Sequence, residues 1–317
     1  MLKIGVQTQN AIDDTCPENG FKMLKKAGFD CVDFSLHGYL LNTDLYRGKC
    51  NDFFDKSISD LEKYFAPHKY AAKVAGINIH QMHMPYPLYI PQADNMLNKY
   101  LIENVAPKSL KICSFLECKY IVTHGFKLVK FVGSEEAEWQ YTQAFIEKLA
   151  PQLRELGITI CIENLYENTG GHLTEGICCN AKKAADRIDR LNDKYKAEIL
   201  GFCFDTGHAN LLGIDCEKFI TTLNNRLKVL HIHDNDGVRD LHQIPFVFSR
   251  ARENSSATDW IGFIRGLCNI HFNGVLNFET GPVLNSFPKE LKQDVLEMIA
   301  KIGKYFSNQI TKEGKDY

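Results

Sequence analysis

Acidic and imidazole side chains follow several short apolar runs of the sequence. Glu163-Asn164 closes one run, and the others end at His83, at His124, at Asp205-Thr-Gly-His208, at His231-Ile-His233-Asp234-Asn235-Asp236 and at Glu279. Carboxylates and imidazoles are the groups that bind divalent cations and transfer protons. The pattern therefore predicts a site for metal binding or acid–base catalysis, provided that the fold brings the ends of these runs together.

Eight strand-like apolar runs alternate with longer segments in which apolar residues recur at helical spacing. The runs are 3–8, 30–35, 77–83, 120–124, 158–163, 199–205, 228–233 and 275–279, and helical spacing is clearest in 139–156 and 289–306. Eight strand–helix units predict a closed parallel (β/α)8 TIM barrel, a single α/β domain over 1–317 with a polar, frayed tail at 308–317. An open doubly wound sheet has the same alternation, but the count of eight favours the barrel.

The alternation of side chains along the predicted strands indicates which residues face the barrel axis. Strand residues point to opposite faces in turn, and barrel active sites lie at the carboxyl ends of the strands. Glu163 shares its face with Cys161, and Asp205 with Cys203, whereas bulky apolar residues occupy the other face. The polar or small face is therefore expected to line the axis, with the two cysteines as small packing residues below the site.

Several carboxylates converging at one barrel mouth would repel one another without a neutralising charge. A divalent cation is the simplest such charge, and imidazole with carboxylate ligands suits Mn, Zn, Co or Mg. Each residue alone also has an ordinary explanation, since an Asp before Thr-Gly-His is often a helix N-cap. The agreement of six consecutive strand ends favours the cation.

Composition excludes several classes of protein. The 317 residues include 37 Lys and Arg against 39 Asp and Glu, so the chain, with a formal net charge of −2, lacks the strongly basic character that would indicate a nucleic-acid partner, although a local basic groove stays possible. The eleven cysteines form no Cys-x-x-Cys motif, Met1 leads directly into Leu-Lys-Ile-Gly-Val, and no apolar run reaches membrane-spanning length. We therefore expect free thiols, a reducing cytoplasmic location and no membrane span.

The motifs at the strand ends resemble the xylose-isomerase-like TIM-barrel superfamily. They are Glu163-Asn164, Cys203-Phe-Asp-Thr-Gly-His-Ala209, His231-Ile-His-Asp-Asn-Asp-Gly237 and Gly274-Val-Leu-Asn-Phe-Glu279. The superfamily contains sugar isomerases, ketose 3-epimerases, inosose dehydratases and zinc-dependent apurinic-site endonucleases. The resemblance implies a metal site of Glu163, Asp205, His231 and Glu279, and a substrate-side or second-metal role for His208.

The endonuclease branch uses further metal ligands, and this sequence has counterparts of them. Candidates for additional metal or substrate binding are His83, His124, His208, His233, Asp240 and His242. Two departures weigh against the endonuclease: the segment 7–14 is acidic and lacks that branch's His-containing motif, and the Gly-rich turn expected after Asp240-Leu-His242 is replaced by 245–256. We expect 245–256 to be either a substrate-specific lid or an ordinary solvated loop.

The resemblance and the site residues together predict a metal-dependent sugar isomerase or epimerase. Glu163 and Glu279 would transfer a proton at the carbon beside a carbonyl, through an enediolate. Predicted substrate-binding residues are His208, Asn164, Tyr86 and Arg239, with the aromatic residues Phe126, Tyr166, Phe246 and Phe248 as possible pocket walls or core residues. The alternatives are a keto-sugar lyase (inosose dehydratase or 3-keto C-glycoside cleavage), the zinc endonuclease and a non-catalytic barrel. Possible protein partners are a second copy, in a dimer or tetramer, or a small subunit.

Overall fold

A parallel sheet of eight strands dominates the computed structural model, which describes residues 1–130, 132–248 and 258–313. The strands are β1 (Lys3–Gln7), β2 (Cys31–Ser35), β3 (Asn78–His83), β4 (Tyr120–Thr123), β5 (Thr159–Glu163), β6 (Tyr166–Thr169), β7 (His172–Glu175), β8 (Leu200–Asp205), β9 (Leu227–His231) and β10 (Val275–Phe278). The large sheet has the order β10-β1-β2-β3-β4-β5-β8-β9, and β6 and β7 form a separate antiparallel hairpin. Each pairing in the large sheet is parallel.

Helices follow the barrel strands and cover the outside of the sheet. They are α1 (Pro17–Ala27), α2 (Asn42–Leu45), α3 (Ile58–Ala75), α4 (Asn95–Tyr100), α5 (Ala106–Phe115), α6 (Glu135–Leu156), α7 (Ala181–Tyr195), α8 (Thr206–Leu211), α9 (Cys216–Leu223), α10 (Trp260–Asn269), α11 (Gly281–Ser286) and α12 (Lys292–Glu313). Gly28, Gly76 and Gly157 end α1, α3 and α6 in the left-handed conformation. These are C-cap positions that glycine occupies without steric cost.

The two end strands of the sheet, β9 and β10, meet through residues just past the end of β9. Ile232 donates its N–H to the carbonyl of Asn277 at 2.9 Å, and Glu279 donates its N–H to the carbonyl of Ile232 at 3.1 Å. This short bridge closes the barrel. The prediction of an α/β fold of the (β/α)8 TIM-barrel class is confirmed.

The inside of the barrel is filled in layers, as the alternation along the strands predicts. Val122, Cys161, Cys203 and Val229 form a small buried apolar cluster of their own, separate from the larger core between sheet and helices. Small side chains fit the narrow axis, and bulkier residues such as Phe202 pack outward. This apolar layer lies inside the barrel directly below the polar residues at the carboxyl ends of the strands.

Two features of the chain differ from the sequence predictions. The hairpin of β6 and β7 was not predicted, because its strands lack an alternating apolar pattern. The tail was predicted to fray from residue 308, but α12 continues to Glu313 because Ile310 packs into the core and prolongs the helix's apolar face. The predicted lid at 245–256 lies outside the described residues from 249 onwards.

Within the described ranges, none of the helices combines the length and the apolar character that crossing a membrane requires. Within the described residues, no disulfide bond joins any two cysteines.

Candidate metal centre and active site

Glu163, the last residue of β5, lies at the centre of the barrel mouth and is 1% exposed. Its Oε1 lies 3.3 Å from Nδ1 of both His208 and His231, while its Oε2 lies 3.3 Å from Nε2 of His124 and 3.7 Å from Nε2 of His83. Burial alone would raise the pKa of Glu163, but the surrounding imidazoles outweigh it and hold this pKa well below its usual value. The carboxylate is therefore ionised and able to act as a ligand or base.

Glu163, Asp205, His231 and Glu279 form one candidate ligand set, which we call the ligand set. One donor atom from each lies within 4.8 Å of all the others. His231 Nδ1 is 3.2 Å from Glu279 Oε2 and 3.9 Å from Asp205 Oδ2. Glu163 Oε2 is buried and, within the described part of the chain, makes no hydrogen bond of good geometry, although His124 and His83 flank it. Three carboxylates and one imidazole fit a divalent ion of the Mn, Zn, Co or Mg type.

The further candidate ligands from the sequence converge on the same place. His83 groups with Glu163 and His231, while His233 groups with Asp205 and His208 on one side and with His242 and Glu279 on the other. Asp240 joins them, because its Oδ2 lies 3.2 Å from His242 Nε2 and 3.4 Å from His208 Nε2. The structure therefore brings together every residue that was predicted to be a metal ligand.

The carboxylates of this cluster raise the pKa values of the imidazoles among them. Burial alone would lower the pKa of His208, but Asp205 and Asp240 outweigh it and hold that pKa well above its usual value. Burial likewise opposes the charge of His242, yet Asp240 and Glu279 raise its pKa to about 10. The carboxylates thus draw positive charge into the site, whether as protons on imidazoles or as a bound metal.

Asp33 on β2 is a functional candidate that the sequence analysis missed. Its Oδ2 lies 3.0 Å from His231 Nε2 and accepts hydrogen bonds from Gln81 Nε2 at 3.1 Å and Asn277 Nδ2 at 3.4 Å. With the proton of His231 on Nε2, the lone pair of Nδ1 points toward Glu163 and Glu279. A charged residue between Val32 and Phe34, inside an apolar strand, was the available signal.

Gln7, the last residue of β1, was missed as well. Its Nε2 donates a hydrogen bond to Glu279 Oε1 at 2.7 Å. This contact engages one carboxylate oxygen and leaves Oε2 to face His231. Gln7 is 3% exposed, so the contact is shielded from solvent. A polar residue at a strand end, the signal used for Glu163, was present at this position too.

Asn164 lies next to the ligand set but faces the backbone. Its amide accepts a hydrogen bond from the N–H of Asp205 at 2.8 Å and donates one to the carbonyl of Asp205 at 3.0 Å. The backbone carbonyl of Asn164 lies 2.9 Å from His208 Nδ1. Asp205 also caps α8 by accepting the N–H of His208 at 2.6 Å. With its amide engaged in this way, Asn164 positions Asp205 and His208, and we do not retain it as a substrate-binding residue.

The loop after β9 returns Asp240 and His242 to the site. Asp234 and Gln243 exchange two backbone hydrogen bonds of 2.8 Å, which close the base of this loop. Thr258 Oγ1 donates to Asp234 Oδ1 at 2.6 Å, so one buried carboxylate also anchors the chain that leads into α10. The position of both candidate ligands therefore depends on contacts of Asp234.

A cavity of about 830 Å³ lies above the ligand set. Tyr86, Phe126 and Tyr166 line it, and Tyr86 stacks on His37 with ring centroids 4.6 Å apart. Phe246 packs instead on Trp260, Tyr305 and Phe306, outside the cavity.

Two other predicted pocket residues also lie elsewhere. Arg239 is 72% exposed and paired with Asp236 at 2.8 Å, because the loop after β9 turns it to the surface, so the expectation that it binds substrate is corrected. Phe248 is half-buried, and its N–H lies 3.4 Å from Asp234 Oδ2 rather than at the cavity wall.

A parallel barrel with carboxylates and imidazoles gathered at its mouth defines the class of (β/α)8 barrels with a candidate metal site. The chain belongs to the xylose isomerase-like TIM barrel family, whose profile matches residues 21–302. Among curated proteins, the uncharacterized protein y4fM of Sinorhizobium fredii (strain NBRC 101917 / NGR234) is 30% identical over 101 residues. That match covers 32% of this chain and 30% of the relative, so it spans less than a third of that protein.

Solved structures with the same fold include sugar epimerases. A D-psicose 3-epimerase determined in the presence of D-fructose has a TM-score of 0.67 and 13% identity, covering 96% of this chain and 99% of its own. A 3-keto-D-glucoside 4-epimerase from E. coli has a TM-score of 0.65 and 14% identity, covering 95% and 100%. The IOLI protein with a bound zinc atom has a TM-score of 0.65 and 16% identity, covering 98% and 99%. At these identities the likeness concerns the fold.

Proposed function

We propose that this protein is a divalent-metal-dependent sugar isomerase or epimerase. The observation that carries the proposal is the convergence of Glu163 and Glu279, from different strands, on one ligand set with Asp205 and His231 at the floor of a cavity. Relatives of the same fold are epimerases of small sugars, and one holds zinc, which supports both the substrate class and the metal.

The two glutamates are the proposed acid–base pair. A carboxylate beside the substrate removes the proton from the carbon next to a carbonyl, and the other returns a proton to the opposite face, which inverts that carbon. Return by the same carboxylate to the neighbouring carbon gives isomerisation. A bound divalent ion supplies charge stabilisation for the enediolate oxygens. Buried, ionised Glu163 fits the role of base, and the Gln7 contact orients Glu279.

Other cavity residues have proposed binding roles. His208 lies between Glu163 and Asp240 and presents its imidazole to substrate oxygens. Tyr86 lies against His37 and His124, where its ring forms a wall for the sugar. The lyase alternative uses the same proton abstraction followed by loss of a β-substituent, so it requires no different set of residues.

A second candidate is a zinc-dependent hydrolase of the apurinic-site endonuclease type. It is favoured by one observation: His83 and His124 flank Glu163 Oε2, and Asp240 with His242 lies beside His208, so ligands for more than one ion are present. The overall charge of −2 gives no support for a polyanionic substrate. Metal content separates the candidates, because one tightly bound ion per chain supports the sugar enzyme and three zinc ions support the endonuclease.

The test of the proposed function is proton exchange. Metal-loaded protein is incubated in heavy water with a panel of ketoses, inososes and keto-glycosides, and deuterium incorporation is read by mass spectrometry. We expect exchange with at least one ketose, its loss in Glu163→Gln and Glu279→Gln, and its retention in Glu175→Gln, an exposed glutamate of β7. Exchange at the wild-type rate in both site variants would refute the acid–base assignment.

The reducing, cytoplasmic location and the homo-oligomer or small partner subunit remain predictions from the sequence.

A further inference from the structure

One side of the cavity carries charged side chains that the proposed function does not use. Lys127 lies in the loop after β4, Glu138 in the first turn of α6 and Glu167 in β6, and all three line the cavity. We call these three residues the acidic end of the cavity, because they bring two carboxylates together with one ammonium group. Lys130 lines the same side, but it is exposed, so water already solvates its charge.

Glu138 is buried without a cationic partner of its own. It is 3% exposed, and a carboxylate is rarely buried to this extent unless it is paired. Its Oε1 accepts the N–H of Leu128 at 3.2 Å, whereas Oε2 has neither a hydrogen bond nor an ion pair within the described part of the chain. A buried oxygen without a partner is costly, so a hydrogen-bond donor of a ligand would be stabilised at Oε2.

Lys127 does not neutralise both carboxylates of the acidic end. Its Nζ lies 2.6 Å from Oε2 of Glu167, whose side chain is only 9% exposed. Burial raises the pKa of Glu138, and among the charged neighbours the upward effect of Glu167 exceeds the downward effect of Lys127. The surroundings of Glu138 are therefore negative on balance, which favours a positively charged ligand group.

The start of α6 holds Glu138 in place before any ligand binds. Ser134 caps the helix by accepting the N–H of Ala137 at 3.3 Å, and its carbonyl accepts the N–H of Glu138 at 2.9 Å. A Cβ added at Gly133 would lie 2.6 Å from Oε1 of Glu138, so the chain before the helix packs closely on the carboxylate. A group ordered in this way loses little conformational entropy on binding.

The acidic end and the ligand set are separate parts of one cavity. The charged neighbours with the largest effects on the pKa of Glu138 are Glu167, Lys127 and Glu135, and none of them belongs to the ligand set. Glu138 and Glu163 nevertheless line the same space of about 830 Å³. One substrate molecule can therefore contact both groups.

We propose that the acidic end binds a protonated amino group of the substrate, with Oε2 of Glu138 as the acceptor. A charged N–H donor is favoured over a hydroxyl, because a hydrogen bond between ions is stronger and because the ammonium offsets the excess negative charge. The sugar part of this assignment rests on the proposed function, whereas the amino group rests on the charges of the cavity wall. The substrate class is accordingly an amino sugar rather than a neutral sugar.

Binding of matched sugars tests the acidic end without turnover. D-Glucose is compared with its 2-amino, 3-amino and 6-amino derivatives, and the dissociation constants are measured by calorimetry with zinc-loaded protein at pH 7. We expect at least one amino sugar to bind tenfold or more tightly than glucose, the effect of one charge-assisted hydrogen bond. A preference below tenfold for all three amino sugars would overturn the proposal.

A matched pair of variants locates the effect. Glu138→Gln keeps an acceptor for the N–H of Leu128 and removes the charge, so it should fold and reduce the preference to about threefold or less. Glu136→Gln is the control and should keep the preference, since Glu136 lies in the same turn, has a side chain that is 62% exposed and does not line the cavity. A full preference in Glu138→Gln would mean that another group, such as the zinc ion, binds the amine, and it would overturn the assignment.

Lys127→Met is a second variant, with an expected effect of opposite sign. Without the ammonium of Lys127 both carboxylates lack a cation, so the preference for the amino sugar should increase. A decrease would refute the role given to the excess negative charge. Absence of deuterium exchange together with a retained amino-sugar preference would refute the proposed function and leave the acidic end as a binding site for an ammonium group.

Discussion

Asp33 Oδ2 lies 3.0 Å from His231 Nε2, and neither side chain is exposed to solvent. The pair joins β2 to the end of β9 across the barrel axis. With a proton on Nε2, His231 would donate to Asp33 and leave Nδ1, which faces Glu163 and Glu279, as the nitrogen that can bind a metal.

Asp33→Asn should weaken divalent-metal binding by about 10- to 100-fold while the protein stays folded. The amide keeps the shape of the side chain but removes the charge that strengthens and orients the imidazole. Competition between the protein and a chromophoric chelator for Zn²⁺ or Co²⁺ measures the affinity, and the Co²⁺ absorption spectrum reports ligand geometry. Asp30→Asn, just before the same strand, is the control, since Asp30 binds the N–H of Ile4 instead. Unchanged affinity in Asp33→Asn would remove Asp33 from the proposed site.

Gln7→Leu should slow deuterium exchange by about tenfold, because Glu279 Oε1 loses a buried hydrogen bond worth about 1.5–3 kcal/mol with a charged acceptor. Gln7→Glu should be slower still, since it places a second carboxylate against Glu279. Rates in heavy water with the best ketose measure the effect. Gln9→Ala, two residues beyond the end of β1, serves as the control. A rate in Gln7→Leu equal to that of the control would mean that Glu279 needs no orienting partner.

Thiol reactivity should divide the cysteines into two groups. Cys16 and Cys50 are exposed and the other nine are buried, with burial holding the pKa values of Cys113 and Cys161 well above the usual value. A colorimetric disulfide reagent should therefore titrate about two thiols per native chain and eleven in denaturant. Rapid reaction of more than two thiols in the native protein would show that the inner layer opens.

Acid should remove the stabilising interaction between Arg187 and Glu135. Arg187 forms hydrogen bonds to both carboxylate oxygens of Glu135, and the resulting attraction outweighs burial and lowers the pKa of Glu135 from 4.5. A lowered folded-state pKa stabilises the protein above the unfolded-state pKa and ceases to do so as the pH falls through the folded-state pKa.

Glu135→Gln should therefore cost about 1–2 kcal/mol of unfolding free energy at pH 7 and much less near pH 3. Urea denaturation at both pH values gives the difference. Glu136→Gln is the matched control, because Glu136 also contacts Arg187 but is 62% exposed, so its effect should be smaller. A cost for Glu135→Gln that did not depend on pH would indicate a packing effect instead.

The alternation of side chains along the strands predicts that Glu163, Asp205, His231 and Glu279 face the barrel axis, and the resemblance to the superfamily implies that these four form the metal site. Glu163 and Asp205 end runs whose inner faces carry small residues, and this pattern is visible without coordinates. Asp33 was missed because its contact with His231 depends on the stagger of the strands around the barrel. The stagger is fixed when the sheet closes into a barrel, and it cannot be predicted from the pattern of residues within one strand.

Loops account for most of the other differences. Gly170 and Gly171 are typical turn residues, and both have positive φ. The strands on either side of them are mostly polar, so they show no apolar–polar alternation that would predict a hairpin. Arg239 follows His233 by only six positions, yet the turn near Gly237 directs it outward to Asp236. Proximity in sequence to a strand end therefore did not locate Arg239, although Asp240 and His242 of the same loop do return to the site.

The seam between β9 and β10 is joined by one bridge at Ile232, and the proposed ligands His231 and Glu279 stand on its two sides. A cation that binds both residues would cross-link the two strands and hold the barrel closed. Its binding free energy would then be part of the free energy that keeps β9 and β10 together and the barrel closed. Amide hydrogen exchange at Ile232 and Glu279 would slow on metal addition more than exchange in the ladder between β4 and β5. Metal supply would in this way govern the lifetime of the folded chain as well as its chemistry.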